Sequence, residues 1–153
     1  KIIKKKNKKA LIIGDINIEN TTKLINVVNE LKKNKIISDF IFKPHPSNQY
    51  YFVNKFKNIN FFLKKIDEFK QKIHYVLCVN STTAAIRFAE MNNDIFVYIP
   101  KESINLSPLK NYYNNIFFND LLSLKKLIKL KRKNTRENIY FRKLSNKSWL
   151  DLK

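Results

Sequence analysis

Glycine is almost missing from this chain: Gly14 is the only one in 153 residues. The glycine-rich loops that cradle phosphates, G-x-G-x-x-G and G-x-x-x-x-G-K-[ST], are therefore excluded. Any anion site must be built from hydroxyls, an imidazole, lysines and a helix N-terminus. Cysteine is equally scarce. Cys78 stands alone inside the apolar run Tyr75 to Val79, so no intrachain disulfide can form and a buried structural thiol is expected. No apolar stretch approaches the roughly 18 to 20 residues that span a bilayer, and the lysine-rich start lacks the hydrophobic segment of a signal peptide. A soluble, cytoplasmic domain is the expectation. With two histidines, one cysteine and no clustered carboxylates, neither a metal nor another cofactor is expected. Acidic residues are few, 12 against 31 lysines and arginines, leaving a net charge of +19. Such a chain attracts anionic nucleotides and the anionic inner leaflet of a membrane, more strongly at low salt. Lysine, asparagine and isoleucine recur throughout without pattern, however, which points to a general compositional bias and to no specific nucleic-acid partner.

The length suits one domain with its own core, and 44% apolar residues support a globular fold. Ala10-Leu11-Ile12-Ile13 reads as a buried strand, followed by an amphipathic helix from Asn20 to Lys33 with Leu24, Val27, Val28 and Leu31 on one face and Asn20 or Thr21 as N-cap. Phe40-Ile41-Phe42 is a second strand, stopped by Pro44 and Pro46. A short helix over Tyr50 to Phe56, a strand over Ile59 to Leu63 and a helical turn over Asp67 to Lys72 follow. The clearest unit is strand Tyr75 to Val79, helix Ser81 to Met91 and strand Ile95 to Ile99. Strand Ile116 to Phe118 and helix Leu121 to Leu130 come next, and Glu137 to Leu152 is a candidate terminal helix. Alternation at this spacing predicts an α/β, Rossmann-like three-layer domain over 1–136 with a mainly parallel sheet, and a separate C-terminal helix over 137–153.

Two segments carry chemistry, and both follow strands. In Lys43-Pro44-His45-Pro46 the prolines stiffen the backbone, so His45 is presented from an extended loop with a lysine beside it, suited to a phosphate oxygen or an anionic leaving group. A plain turn whose histidine merely caps a neighbouring carbonyl is the competing reading. Asn80-Ser81-Thr82-Thr83-Ala84 lies where strand passes to helix, and its hydroxyls and free N–H groups suit a phosphate; simple N-capping by Ser81 or Thr82 competes. In parallel sheets ligands bind beyond the strand carboxyl ends, where the strand order reverses. Gly14-Asp15, after the first strand, can also approach a ligand closely or form an ordinary turn. His74 shows no partner pattern and reads as structural.

The order of an HP motif and then a serine/threonine motif opening a helix resembles GT-B glycosyltransferases, more narrowly the sialyltransferase-like and capsule-synthesis enzymes of bacterial surface carbohydrates. The likeness spans roughly Ala10 to Leu152, but its specific part is these two motifs. It implies a nucleotide-sugar donor-binding domain, with Lys43, His45, Asn80, Ser81, Thr82 and Thr83 as substrate-binding residues and His45 as the catalytic one. The donor it implies is a CMP- or UDP-linked sugar. Glu90 resembles a ribose-binding glutamate, although it sits far from the helix start and reads as solvated or ion-paired. The family's acceptor-activating acidic motif is absent, and a complete enzyme has two such domains. The chain, which begins at lysine, is therefore expected to be a C-terminal half that works with an N-terminal GT-B domain, against which the 137–153 helix would pack.

A different class competes: a basic module for nucleic acid or an anionic membrane surface. It requires aromatics interleaved with lysines on one exposed face, for which Tyr50, Tyr51, Phe52, Tyr112 and Tyr113 are the candidates.

Overall fold

A computed structural model describes residues 8–91, 93–111, 113 and 115–133, with the side chains of Glu90 and residues 131–133 outside that description. The expected terminal helix over 137–153 and Tyr112 also lie outside it. In chain order the elements are β1 (Lys9–Ile13), α1 (Ile18–Lys33), β2 (Asp39–Lys43), α2 (Gln49–Lys55), β3 (Asn60–Phe61), β4 (Tyr75–Val79), α3 (Ala84–Glu90), β5 (Asp94–Tyr98), β6 (Phe117–Phe118) and α4 (Leu121–Lys133). Single 3-10 turns occupy Pro46–Asn48 and Ile66–Glu68.

The six strands form one sheet in the order β3-β2-β1-β4-β5-β6, and every pairing is parallel. This is the doubly wound α/β arrangement predicted from the alternation. All five β4 residues are buried, as suits a central strand covered on both faces. Alternation along the strands divides the core in two. Ala10, Ile12, Phe42, Leu77, Val79 and Phe96 pack under Leu24, Ile25, Val28 and Leu31 of α1, Phe52 of α2 and Leu124 and Ile128 of α4. Leu11, Ile13, Val76, Cys78, Ile95 and Val97 pack against Ala85, Phe88 and Ala89 of α3. Right-handed crossovers put α1 and α3 on opposite faces because the chain moves outward from β1 in one direction and from β4 in the other. The strand order therefore reverses between β1 and β4.

Several boundaries differ from those predicted, each for a local reason. α1 starts at Ile18 because Asn17, not Asn20 or Thr21, is its cap: Asn17 Oδ1 accepts the Asn20 N–H at 2.9 Å. Thr21 is instead fully buried, its Oγ1 accepting the Asp15 N–H at 3.0 Å. β3 is two residues long, since past Phe61 only one further bond, Phe62 N–H to the Phe42 carbonyl at 2.9 Å, continues the ladder. The turn expected over Asp67 to Lys72 is the shorter Ile66–Glu68, whose Glu68 carboxylate accepts the Lys65 N–H at 3.2 Å. Cys78 is buried, and burial, aided by the Asp15 charge, pushes its thiol up to about 12. Among the described residues no helix is long and apolar enough to cross a membrane.

Candidate functional site

β1, β2 and β4 lie side by side, and in a parallel sheet their carboxyl ends open on the same edge. Register aligns Ile13 with Lys43 on one side and with Cys78 on the other. The residues just past that register are Gly14-Asp15, Pro44-His45 and Val79-Asn80, with Ser81 next, so the ends of β2 and β4 flank β1 two strand spacings apart, about 10 Å. There the loops enclose a crevice of about 420 Å³. Lys43, His45, Ser81, Thr82 and Thr83 all line it, together with Gly14, Asp15, Lys65 and Asp67. The histidine and hydroxyl motifs, distant in sequence, thus share one cavity at the switch point.

Gly14 makes the exit from β1 possible. A Cβ here would meet the Phe42 ring and the Thr21 methyl, both at 3.1 Å, and both residues are fully buried. The Gly14 N–H donates to the Lys43 carbonyl at 2.8 Å, which ties the β1 and β2 exits together. The Asn48 amide reaches back to the Asp15 and Ile16 carbonyls, at 3.3 and 2.7 Å, and fixes the loop after β2 against the loop after β1.

His45 caps the Pro46–Asn48 turn: its Nδ1 accepts the Ser47 N–H at 3.3 Å. The turn reading expected a bond to a carbonyl; the imidazole instead accepts from an N–H, and His45 lines the crevice as well. With Nδ1 occupied as an acceptor, the neutral imidazole carries its proton on Nε2, leaving a donor available to a ligand. Lys43, two residues earlier, is half-buried, and burial holds its ammonium below the usual lysine range. No carboxylate among the described residues forms an ion pair with it; its Nζ lies 6.0 Å from the Phe62 ring centroid.

The hydroxyl segment departs from prediction. The helix begins at Ala84, not Ser81, and Thr83 precedes it without a side-chain capping bond. Residues 80–83 form a turn instead, with the Thr82 N–H donating to the Val79 carbonyl at 3.0 Å. Side-chain bonds tie the first two residues of this turn to other loops. Ser81 donates its hydroxyl to the Asp15 carboxylate. Asn80 donates to the Ile104 carbonyl at 2.6 Å and accepts the Leu106 N–H at 2.8 Å. Asn80, expected to bind substrate, thus anchors the loop after β5 and does not line the crevice. Thr82 is buried, and its Oγ1 has no hydrogen-bond partner among the described residues. Thr83 is exposed at the rim.

The crevice carries two carboxylates that sequence reasoning did not assign. Asp15 is committed on both oxygens, to the Ile16 N–H at 2.6 Å and to Ser81. Asp67 pairs with Arg87 on α3. Lys43 and Lys65 have no such pairing among the described residues. Lys65 was legible in principle, since it follows the third strand just as Lys43 ends the second. The Asp15 to Ser81 bond was not, because nothing local links the two positions.

The remaining candidates fall elsewhere. His74 is at the opposite end of the sheet, where its Nδ1 accepts the Lys9 N–H at 3.2 Å. Glu90 closes α3, but its side chain is outside the described residues. Phe52 is fully buried and cannot serve as an exposed stacking ring; Tyr50 and Tyr51 on α2 are exposed. No protein-family model, curated protein or solved structure matches this chain.

Proposed function

We propose that the chain is the nucleotide-sugar donor-binding half of a glycosyltransferase that builds bacterial surface polysaccharide, working with an N-terminal GT-B domain. One observation carries the reading: the Lys43 ammonium, the His45 imidazole and the buried Thr82 residue line a single crevice at the strand-order reversal. Among the described residues the half-buried lysine has no carboxylate partner and the hydroxyl has no hydrogen-bond partner, and each is costly alone. A phosphate oxygen satisfies both.

In this reading the donor phosphates lie over the 81–83 turn, taking hydrogen bonds from Thr82 and Thr83. Ser81 positions Asp15 and holds the β1 and β4 exits together. As the sugar leaves, negative charge grows on the nucleotide, and Lys43 and the His45 Nε2–H stabilise it; a preorganised cation and donor in a sheltered site lower the barrier because they need no reorientation. Lys65, on the third rim, adds positive charge.

Titration calorimetry with CMP, UDP and their sugar conjugates tests this. The parent should bind at least one of them, and Lys43→Met and His45→Ala should each weaken it about tenfold or more, the value of a lost charged hydrogen bond. Equal affinity in parent and both variants would remove the reading.

A further inference from the structure

The positive charge of the molecule is segregated by sheet end. At the crevice end, Lys23, Lys43, Lys64, Lys65 and Lys101 are interspersed with Asp15, Glu19, Asp67 and Glu102. The opposite end, where the strands begin and the helices finish, is different. Six lysines there are exposed and form no ion pair among the described residues: Lys9 at the start of β1, Lys35 after α1, Lys57 after α2, Lys70 and Lys72 before β4, and Lys129 in the last part of α4. The carboxylates Glu30, Asp39 and Asp94 also lie at this end: Glu30 and Asp39 are bonded to Lys33 and Lys32, at 2.6 and 2.7 Å, and Asp94, which opens β5, is not free either. Parallel topology makes the clustering possible, because every helix of the sheet presents its C-terminus, the end that favours cations, on this side.

We infer that this amino-end surface docks the domain on an anionic phospholipid bilayer. The lysines come from two strand entries and three helix ends, which makes a broad surface, and among the described residues no groove there is lined by stacking rings. The exposed rings of Tyr50 and Tyr51 belong to the beginning of α2, nearer the crevice end. What the basic end does expose is aliphatic: Met91, 58% accessible at the end of α3, and Leu130, 50% accessible on α4. Lysine ammonium groups around isolated apolar side chains match a headgroup layer, where charge attracts diffusely and a few apolar groups enter the acyl boundary. Lys35 sits at φ 55°, a left-handed position that ordinarily takes glycine, and so holds a cation there against backbone preference. With this end on the membrane, the crevice faces away from it and stays open. The inference does not depend on what the crevice binds.

Vesicle flotation of the full chain tests it, comparing phosphatidylcholine alone with phosphatidylcholine and phosphatidylglycerol at about 7:3. Binding should require phosphatidylglycerol and weaken with salt. The triple variant Lys35→Gln, Lys57→Gln, Lys72→Gln should bind about a hundredfold more weakly, roughly fivefold per lysine. The control triple Lys64→Gln, Lys65→Gln, Lys101→Gln at the crevice end should bind as the parent does, which holds the contribution of the chain termini constant. Met91→Ser with Leu130→Ser should weaken vesicle binding while leaving any oligonucleotide binding unchanged. Equal loss in both triples, no phosphatidylglycerol dependence, or tighter binding to random single-stranded oligonucleotide than to vesicles would each overturn the inference.

Discussion

Thr82→Val should make the unliganded domain more stable and its ligand binding weaker. The Thr82 hydroxyl is buried and has no partner among the described residues, so the free protein bears the desolvation of that group without a compensating bond. An unsatisfied buried hydroxyl costs about 1–3 kcal/mol, and valine keeps nearly the same shape without it. Taking the lower part of that range, about 1–2 kcal/mol, and about 2–4 °C per kcal/mol for a chain of this size, the midpoint of thermal unfolding should rise by about 2–8 °C. The same hydroxyl is assigned to a donor phosphate. Losing a hydrogen bond to a charged group removes about 1.5–3 kcal/mol, which is roughly 10- to 150-fold in affinity. Scanning calorimetry of the free variant and titration with the nucleotide ligand read the two effects separately. A variant less stable than the parent would mean that the hydroxyl already has a partner in the folded chain. Unchanged affinity with raised stability would mean that the orphaned group has nothing to do with the ligand.

Three further predictions concern Gly14 in the frame of the site, Lys35 at the far end of the sheet, and the Cys78 thiol. Gly14→Ala should destabilise by about 1–3 kcal/mol, because its Cβ would press at 3.1 Å on Phe42 and Thr21, neither of which has room to yield; denaturant unfolding measures it. Lys35→Gly should stabilise by about 0.5–1 kcal/mol in the same assay, relieving a left-handed residue just past α1, where the Ile36 N–H already closes back on the Leu31 carbonyl at 3.0 Å. Cys78 should resist thiol reagents at pH 8 in the native state and react on unfolding. Its native value is about 12 against an ordinary 9.0, so the unfolded chain binds fewer protons between those limits. The thiol's contribution to stability is thus constant below pH 9.0 and falls as pH rises towards 12, by at most about 1.4 kcal/mol per pH unit, a slope that Cys78→Ala should lack.

The sheet was legible because its strands are short, uninterrupted apolar runs: Ala10 to Ile13, Phe40 to Phe42 and Tyr75 to Val79 can be buried only between two layers. The location of the crevice followed from that, since prolines and hydroxyls immediately after strands must lie at one end of a parallel sheet. What local pattern could not supply was the division of labour within the motifs. Asn80, Ser81, Thr82 and Thr83 read alike as polar residues near a helix start. Their roles are set by partners far along the chain: Ile104 and Leu106 for Asn80, Asp15 for Ser81, and none among the described residues for the Thr82 hydroxyl. These distant bonds engage Asn80 and Ser81, at the start of the expected helix, and propensity and periodicity describe the residues of a helix and not the loops that compete for its first turn. Phe52 illustrates the same limit. Its sequence neighbourhood of tyrosines and lysines suggests a surface, yet its ring packs edge-on against Phe42 at 5.1 Å in the core. Charge segregation was equally hidden, for lysines spread evenly along the chain gather at one end only once the strands are parallel.

The central claim is that the loops after β1, β2 and β4 hold one nucleotide-sugar phosphate together, and an amide NMR titration of the labelled chain with CMP- and UDP-sugars addresses it most directly. The account predicts saturable shifts confined to one connected set: Gly14, Asp15, His45, Ser81, Thr82 and Thr83, with smaller changes at Lys65 and Asp67. Shifts at only one of the two motifs, or shifts limited to the lysines at the far end of the sheet, would contradict it.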